Sequence, residues 1–292
     1  MSARIRKRPE RLLAQPAIIM LLVWMIVPLA MTLYFSTQYY NLLYPGKTAF
    51  VGLENFAYFF TYPSFWTSVL NTIILVGSVL VVTVVGGVLV SVLVDETFPG
   101  QGIVRMLLIS PFFIMPTVAA LVWKNLLMNP VSGFLAWVWK LFGATPVNWF
   151  ADWPLFSIIT VVSWEWLPFA ILIFVTALQS LDREQMEAAR MDGASTWRVF
   201  WSVIFPLLMP MNATVGILTC VWAWNDFIMP LVVLTSPSAR TLPLAQYVFQ
   251  GQFNTDYTVA FASYLMAMAP LLIAYTFSQR WVISGVTRGS IK

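Results

Sequence analysis

The most unusual chemical group in this sequence is a single acid inside a long apolar stretch. Glu165 lies about ten residues into the stretch from Leu155 to Leu178, and Trp164 and Trp166 flank it. At about 1.5 Å per helical residue, its carboxyl lies about 15 Å along a helix. An acid at mid-bilayer depth costs about 2.5–3.5 kcal/mol and usually faces a cavity or a partner. Because a sugar can place hydroxyls on a carboxyl and a CH face on an indole, we predict that Trp164 and Glu165 line a solute path. A structural brace or a contact with a neighbouring subunit is the alternative.

A second polar and aromatic patch closes another apolar stretch. It contains Trp222, Asn225 and Asp226, and an apolar segment from Phe227 to Leu234 follows it. That segment is too short to cross a bilayer, so it is typical of a re-entrant or interfacial loop. We predict that the patch belongs to the same path, with interfacial anchoring as the alternative.

The residue types that are missing exclude several kinds of chemistry. The chain has no histidine and one cysteine, Cys220, so a disulfide within the chain, a cysteine metal cluster and histidine proton transfer are excluded. Gly46-Lys47-Thr48 is not a phosphate loop, because Asn41 stands where that motif needs glycine. We expect no catalytic residue, no metal and no cofactor, which disfavours an integral membrane enzyme.

The elements that must position these residues are membrane helices. Of the 292 residues 60% are hydrophobic and 10% are charged, against about 25% charged in soluble domains. Gaps between charges predict an all-α, polytopic membrane protein with six transmembrane helices, each about 20 residues or longer. The predicted spans are Leu12 to about Tyr34, Val69 to Val94, Ile103 to about Met128, Leu155 to Leu178, Val203 to Trp224, and Val259 to Ile283.

The basic residues predict the orientation of these spans. With the N-terminus inside, twelve of the sixteen Lys and Arg residues fall in inner segments. The other four, which fall outside, are Lys47, Lys124, Lys140 and Arg240. Inner loops carry the excess of basic residues, so both termini are predicted to be cytoplasmic. We expect a cytoplasmic segment at 1–11, a six-helix transmembrane domain at 12–283 and a cytoplasmic tail at 284–292.

One inner loop, residues 180–206, combines charge with a defined pattern. Its first half contains helix formers, and Gly193 can end a helix with positive φ. Ser195 or Thr196 can cap the next helix, and Pro206 fits the first turn of the fifth span. The pattern predicts a short helix, a sharp turn and a second helix that enters the membrane.

This loop resembles the EAA motif of binding-protein-dependent ABC importer permeases. Glu187, Ala188, Ala189, Gly193 and Pro206 stand at the motif's spacing. In that family the loop docks on a separate ATPase subunit. The resemblance therefore implies that the segment from Glu187 to Gly193, with Asp192 in it, couples ATP-driven motion to the spans.

A wider resemblance covers nearly the whole chain. Residues 51–56 and 71–72 are similar to carbohydrate permeases of the maltose-transporter type, while residues 224–227 and the ending 285–292 are more similar to the MalG-type partner. The chain could therefore take the MalF-like or the MalG-like position. The resemblance implies the type I ABC importer permease (MetI-like) fold and a place in the prokaryotic inner membrane. It also implies a second homologous permease, a dimeric ABC ATPase and an extracytoplasmic solute-binding protein.

These observations predict a transport subunit rather than an enzyme or a nucleic-acid-binding protein. The expected function is half of an ATP-driven, alternating-access pathway for a sugar or sugar alcohol. An importer for another small solute such as glycerol phosphate is the alternative. An ion-coupled secondary transporter would call for several intramembrane charges, where only Glu165 is plainly central.

Overall fold

The computed structural model describes residues 7–40, 46–180, 191, 195–247 and 257–288, except the side chains of 7–12, 196, 197, 203, 278 and 280–288. The described part is almost entirely helical, as predicted. A two-stranded antiparallel ribbon, β1 (Gln38–Tyr39) with β2 (Ala49–Phe50), is the exception. The α-helices are α1 (Lys7–Ser36), α2 (Glu54–Thr61), α3 (Phe65–Val81), α4 (Gly87–Asp95), α5 (Gln101–Ile109), α6 (Pro116–Leu121), α7 (Phe134–Leu141), α8 (Trp149–Asp152), α9 (Pro154–Gln179), α10 (Thr196–Val199), α11 (Phe205–Asn225), α12 (Ile228–Val233), α13 (Leu242–Tyr247) and α14 (Tyr257–Arg288).

Three π-helical segments join some of these helices into longer ones. Val82–Gly86 connects α3 to α4, Val122–Leu127 extends α6, and Phe200–Ile204 connects α10 to α11. Two short 3₁₀ helices, Ser110–Phe113 and Pro237–Ala239, complete the helical elements described.

Five described helices are long and apolar enough to cross a membrane, and all five match predicted spans. They are Leu13–Ser36, Phe65–Asp95, Pro154–Gln179, Phe205–Asn225 and Tyr257–Phe277. A bent pair of segments makes a sixth span if its two halves are counted together. The predicted polytopic helical architecture is confirmed.

The third predicted span is not one straight helix, which corrects the sequence prediction. The segments Gln101–Phe113 and Pro116–Leu127 meet at an angle of 99°. Ile114 and Met115 between them are extended, with ψ of 131° and 133°. Met115 precedes Pro116, and the proline ring disfavours helical geometry in the residue before it. The break therefore follows from the sequence, although apolar length alone does not reveal it.

The contacts within the chain define two compact units, and the first comprises Met1–Pro63 and Gln246–Ala269. In this unit the Nδ2 atom of buried Asn55 donates to the carbonyls of Ser36 at 2.8 Å and Gln38 at 2.9 Å. These bonds satisfy carbonyls at the end of α1 and in β1. Phe35 stacks on Phe261 with a ring separation of 5.5 Å.

The second unit comprises Ser64–Ala245 and Pro270–Lys292, and it holds the predicted path residues. Its core forms where α4 and α11 pack against α9. A Cβ placed on Gly87 would lie 2.9 Å from the Cβ of Ala170 and 3.0 Å from the ring of Phe174. Only glycine therefore allows α4 to approach α9 this closely. Val88, Ala170, Phe174 and Val215 form a buried cluster at this contact.

Two residues near the start of α3 fasten a distant loop of the second unit. The Nδ2 atom of Asn71 donates to the carbonyls of Ser238 at 2.9 Å and Arg240 at 3.1 Å. The hydroxyl of buried Thr72 accepts the backbone N–H of Leu242 at 2.8 Å. Residues 71–72, which carry part of the family resemblance, thus hold the segment that leads into α13.

Candidate functional site

The two predicted acids belong to α9 and to the end of α11, two helices that pack against each other. Glu165 is in α9 and is only 6% exposed. Asp226 directly follows α11, and it is close enough to Glu165 for the two carboxyls to interact electrostatically. Among the described residues, neither acid forms a salt bridge. The site therefore presents two acidic groups without a cation from the described chain.

An aromatic cluster joins the same two helices. The rings of Trp166 and Trp222 have centroids 3.8 Å apart and planes inclined by 58°. Phe169 lies 5.9 Å from Trp222, and Phe112 lies 5.8 Å from Trp166 and 5.6 Å from Phe169. Phe112 and Phe169 were missed by the sequence prediction. Phe169 follows Trp166 by three positions, a helical spacing that was available as a signal.

Trp164 belongs to a different contact, on the other side of Glu165 in the sequence. Its ring meets that of Trp123 edge to face, with centroids 5.6 Å apart. The buried Nε1 of Trp123 and the buried Oγ of Ser163 have no hydrogen-bond partner within the described chain. Buried polar groups normally have partners. These two groups are therefore available to a polar solute or to water.

Asn225 and Asp226 have different surroundings although they are adjacent. Asn225 is exposed, and its Nδ2 donates to the carbonyl of Val221 in the same helix at 2.7 Å. The Oδ1 atom of Asp226 accepts the backbone N–H of Met229 at 3.2 Å. Asp226 therefore binds the first turn of the short helix α12 from the position before its N-cap residue, Phe227. Asp226 is thus one of the two acids of the site and also binds the backbone of the segment after it.

The bent third span also contributes Lys124, which the sequence did not assign to the site. Lys124, in the π segment after α6, donates from Nζ to the carbonyl of Val232 at 2.6 Å. Val232 lies in the last turn of α12. In the sequence Lys124 served only to indicate the outer side of the membrane. Its bond to a residue 108 positions away carries no local sequence signal.

The predicted coupling loop is only partly described. Glu187, Ala188, Ala189, Asp192 and Gly193 lie outside the described residues. On the far side of the loop, the Oγ of Ser195 accepts the backbone N–H of Arg198 at 3.4 Å, so the predicted cap of the next helix is confirmed.

The helix after this cap begins earlier than the predicted fifth span. From Thr196 it continues through the π segment to Asn225. Pro206 lies in the first turn of α11, as predicted.

An apolar pocket lies elsewhere in the second unit, between α3, α11 and α14. It encloses about 270 Å³ and is lined mainly by aliphatic side chains, with Leu80, Ile217 and Leu271 among them and Cys220 beside them. Such a lining offers few partners to a hydroxylated solute. The acid and aromatic patch therefore remains the better candidate for a polar ligand. No cluster of three or more Asp, Glu or Cys side chains suited to a metal occurs among the described residues.

Comparison with known proteins gives a family and a fold. The family described as "Binding-protein-dependent transport system inner membrane component" matches residues 43–288. The permease MsmG of a multiple sugar-binding transport system from Streptococcus mutans is 42% identical over 107 residues, which cover 36% of this chain and 39% of MsmG. The sn-glycerol-3-phosphate transport permease UgpA from Agrobacterium fabrum is 27% identical over 275 residues, which cover 91% of this chain and 92% of UgpA.

A solved structure shares the fold over almost the whole chain. It is a chain of a bacterial alginate ABC transporter in complex with an alginate pentasaccharide-bound periplasmic protein. The TM-score is 0.78 at 19% identity, and the match covers 94% of this chain and 96% of that one. The predicted ABC importer permease fold is confirmed.

Proposed function

This chain belongs to the family of binding-protein-dependent transport system inner membrane components, and we propose that it forms half of the translocation pathway of an ATP-driven importer for a sugar or sugar alcohol. It is a multi-pass protein of the inner membrane. The family describes transport components and not enzymes.

One observation carries the proposed solute class: acids and aromatic rings meet where α9 and α11 pack. Glu165 and Asp226 can accept hydrogen bonds from hydroxyls, and Trp166 with Trp222 offers an indole surface for the CH face of a sugar. Such patches bind polyhydroxy compounds through both kinds of contact at once. The named function of MsmG, a sugar transport permease, supports the same class.

The coupling to ATP hydrolysis is proposed for loop 180–206. This loop follows α9 and leads into the helix that contains α11. One loop therefore connects the end of the helix that carries Glu165 to the helix that carries Trp222. Glu165 is 14 residues from Gln179, which is about 21 Å of helix. An ATPase that binds Glu187 to Gly193 would thus pull directly on both walls of the patch.

The proposed mechanism is alternating access. A binding protein delivers the solute from outside, and closure of a dimeric ATPase shifts the paired permeases between inward-facing and outward-facing states. Because aliphatic packing joins α4, α9 and α11 near the loop, these helices can move as one body. A separate ATPase is required, since Gly46-Lys47-Thr48 lacks the spacing of a phosphate loop.

The partners and the orientation are part of this proposal. They are a second homologous permease, a dimeric ABC ATPase and an extracytoplasmic solute-binding protein. Binding-protein dependence is named by the family, and the solved alginate transporter was captured with a periplasmic protein. Both termini and loop 180–206 are proposed to be cytoplasmic, with a permease domain at 12–283 between the segments 1–11 and 284–292.

Copurification from membranes tests the proposed coupling. The wild-type chain should bring down a nucleotide-binding subunit and support ATP-driven uptake. Glu187→Lys and Gly193→Pro should abolish both while the chain stays inserted. Glu96→Lys makes the same charge reversal on the exposed turn after α4, outside the motif, and should leave both intact. Normal association and uptake in Glu187→Lys and Gly193→Pro would contradict the coupling role.

Glycerol phosphate is the second candidate solute, because UgpA matches nearly the full chain. Two neighbouring acids without a cation would repel a phosphate, so the patch favours the neutral solute. The ligand of the cognate binding protein, measured by calorimetry against both compounds, decides between them. The binding-protein dependence of the family disfavours an ion-coupled secondary transporter.

A further inference from the structure

The short helix α12 is held at both ends by charged side chains. At its start, Asp226 Oδ1 accepts the N–H of Met229 at 3.2 Å. At its end, Lys124 Nζ donates to the carbonyl of Val232 at 2.6 Å. An acid at the N-terminus and a base at the C-terminus both match the helix dipole. The charges are therefore arranged to fix this helix from both sides.

Such a helix needs outside contacts to keep its place. Six residues are too few to form a stable helix alone, because the cost of nucleation is not repaid. α12 packs against α6, and Met229, Pro230 and Val233 are buried. Apolar packing is not directional, whereas the bond from Lys124 specifies one carbonyl. In surroundings poorer in water than a protein surface, a charge-assisted bond of this kind is also stronger.

The same segment also contacts the other wall of the patch. Trp123, the residue before Lys124, meets the ring of Trp164 at 5.6 Å. Trp164 immediately precedes Glu165 in α9. The π segment Val122–Leu127 thus touches α9 through one residue and α12 through the next. This arrangement places it between the elements that carry the two acids.

We propose that Lys124 is a positioning residue that fixes α12 and thereby sets the Asp226 carboxyl beside Glu165. It acts on the solute through Asp226 and does not touch the solute itself. The effect on transport depends on the function proposed above, while the effect on α12 does not. The two parts are therefore tested separately.

The first test measures α12 directly, without transport. Hydrogen–deuterium exchange of the amides in Ile228–Val233 is compared for the wild type and three variants in lipid nanodiscs. Lys124→Met should speed exchange about tenfold or more, the factor expected when one charge-assisted bond is lost. Lys124→Arg keeps a donor and should stay close to the wild type.

Lys140→Met is the matched control, because Lys140 also donates to a backbone carbonyl, that of Val131 at 3.2 Å, but at an exposed site. It should leave exchange in α12 unchanged. Unchanged exchange in Lys124→Met would overturn the proposal, as would a change in Lys140→Met of the same size.

The second test is a double-mutant cycle on solute uptake by the assembled importer. Lys124→Met and Asp226→Asn should each lower uptake about tenfold, and the double variant should be little worse than Asp226→Asn alone. Fully additive losses would show that Lys124 does not act through Asp226 and would overturn the proposal. If the wild-type complex takes up no sugar, the proposed function fails, and the exchange experiment still decides whether Lys124 holds α12.

Discussion

The two halves of α9 are built on different principles. In the C-terminal half, Ala170, Phe174 and Ala177 are buried in hydrophobic clusters, and Gly87 lets α4 come into close contact. Towards the N-terminal half, Glu165 lies within electrostatic range of Asp226, and the ring of Trp166 contacts that of Trp222. The same helix thus joins a tightly packed core to a patch with unpaired polar groups.

This difference separates the part of the helix that contributes mainly to folding stability from the part that we propose to bind the solute. Close aliphatic packing is favourable and rigid. A buried acid without a cation is costly in a membrane and persists where it has a use. Substitutions in the C-terminal half should therefore act on folding, and those around Glu165 on transport. Four predictions test this division.

The largest effect is expected from Gly87→Leu. The new side chain would overlap Ala170 and Phe174, since even a Cβ would lie within 3.0 Å of both. Overpacking of this kind costs about 3 kcal/mol. Thermal unfolding followed by size-exclusion fluorescence should show a much lower Tm and little folded protein.

Gly77→Leu is the matched control, because a Cβ at Gly77 has nothing within 4 Å. It should keep the wild-type Tm. Equal values of Tm for the two variants would contradict the close packing of α4 against the C-terminal half of α9.

The second-largest effect is expected from Glu165→Ala, which should lower transport without lowering stability. Uptake should fall about 10- to 100-fold, the loss expected when a charged hydrogen bond to the solute is removed. The Tm should stay the same or rise, because an unpaired buried acid is gone. Glu165→Gln should keep part of the uptake.

Glu96→Gln, at an exposed acid, is the control for this pair and should transport like the wild type. If Glu165→Ala and Glu165→Gln both transport normally, Glu165 does not line the path.

A smaller effect is expected from Trp222→Ala. Loss of its contact with Trp166 and of a surface for the solute should raise the KM for uptake about two- to tenfold, as for other aromatic pairs. Trp222→Phe should fall between. Trp137→Ala removes a more exposed tryptophan in α7 and should leave KM unchanged. A KM change in Trp137→Ala of the same size would show that any interfacial tryptophan matters equally.

The smallest effect is expected from Ser195→Ala, at the start of the helix that leads into α11. Loss of this cap costs about 1 kcal/mol, so amides of Thr196–Val199 should exchange several-fold faster with deuterium. Uptake should change less than twofold. Ser195→Asp keeps an acceptor and should restore slow exchange, and faster exchange in this variant would argue against the cap.

The sequence revealed most of the fold because apolar length and scarce charges are strong signals. Pro154–Gln179 was predicted within one residue at each end. The bend in the third span was missed because hydropathy averages over a window and is blind to direction. Pro111 and Pro116 were visible in the sequence, but they do not specify a 99° angle.

The sequence predicted individual residues of the site but not which of them lie close together. Glu165 and Asp226 stood out as acids in apolar surroundings, but their proximity depends on how α9 packs against α11. Phe112 is one of 22 phenylalanines, so its type alone is uninformative. Lys124 reaches the site through the bend that the sequence did not show. The roles of Glu187 and Gly193 remain predictions.

The π segments change the direction in which the later side chains of the same helix point. A π turn accommodates one residue more than an α turn, and one residue corresponds to about 100° of rotation. A helical wheel drawn straight through Phe200–Ile204 would therefore place Trp222 on the wrong side of its helix. The number of residues between Ser195 and Asp226, which includes this π segment, is thus as constrained as their types. A chain one residue shorter at this turn would point Trp222 away from Trp166, although no side chain of the site had been altered.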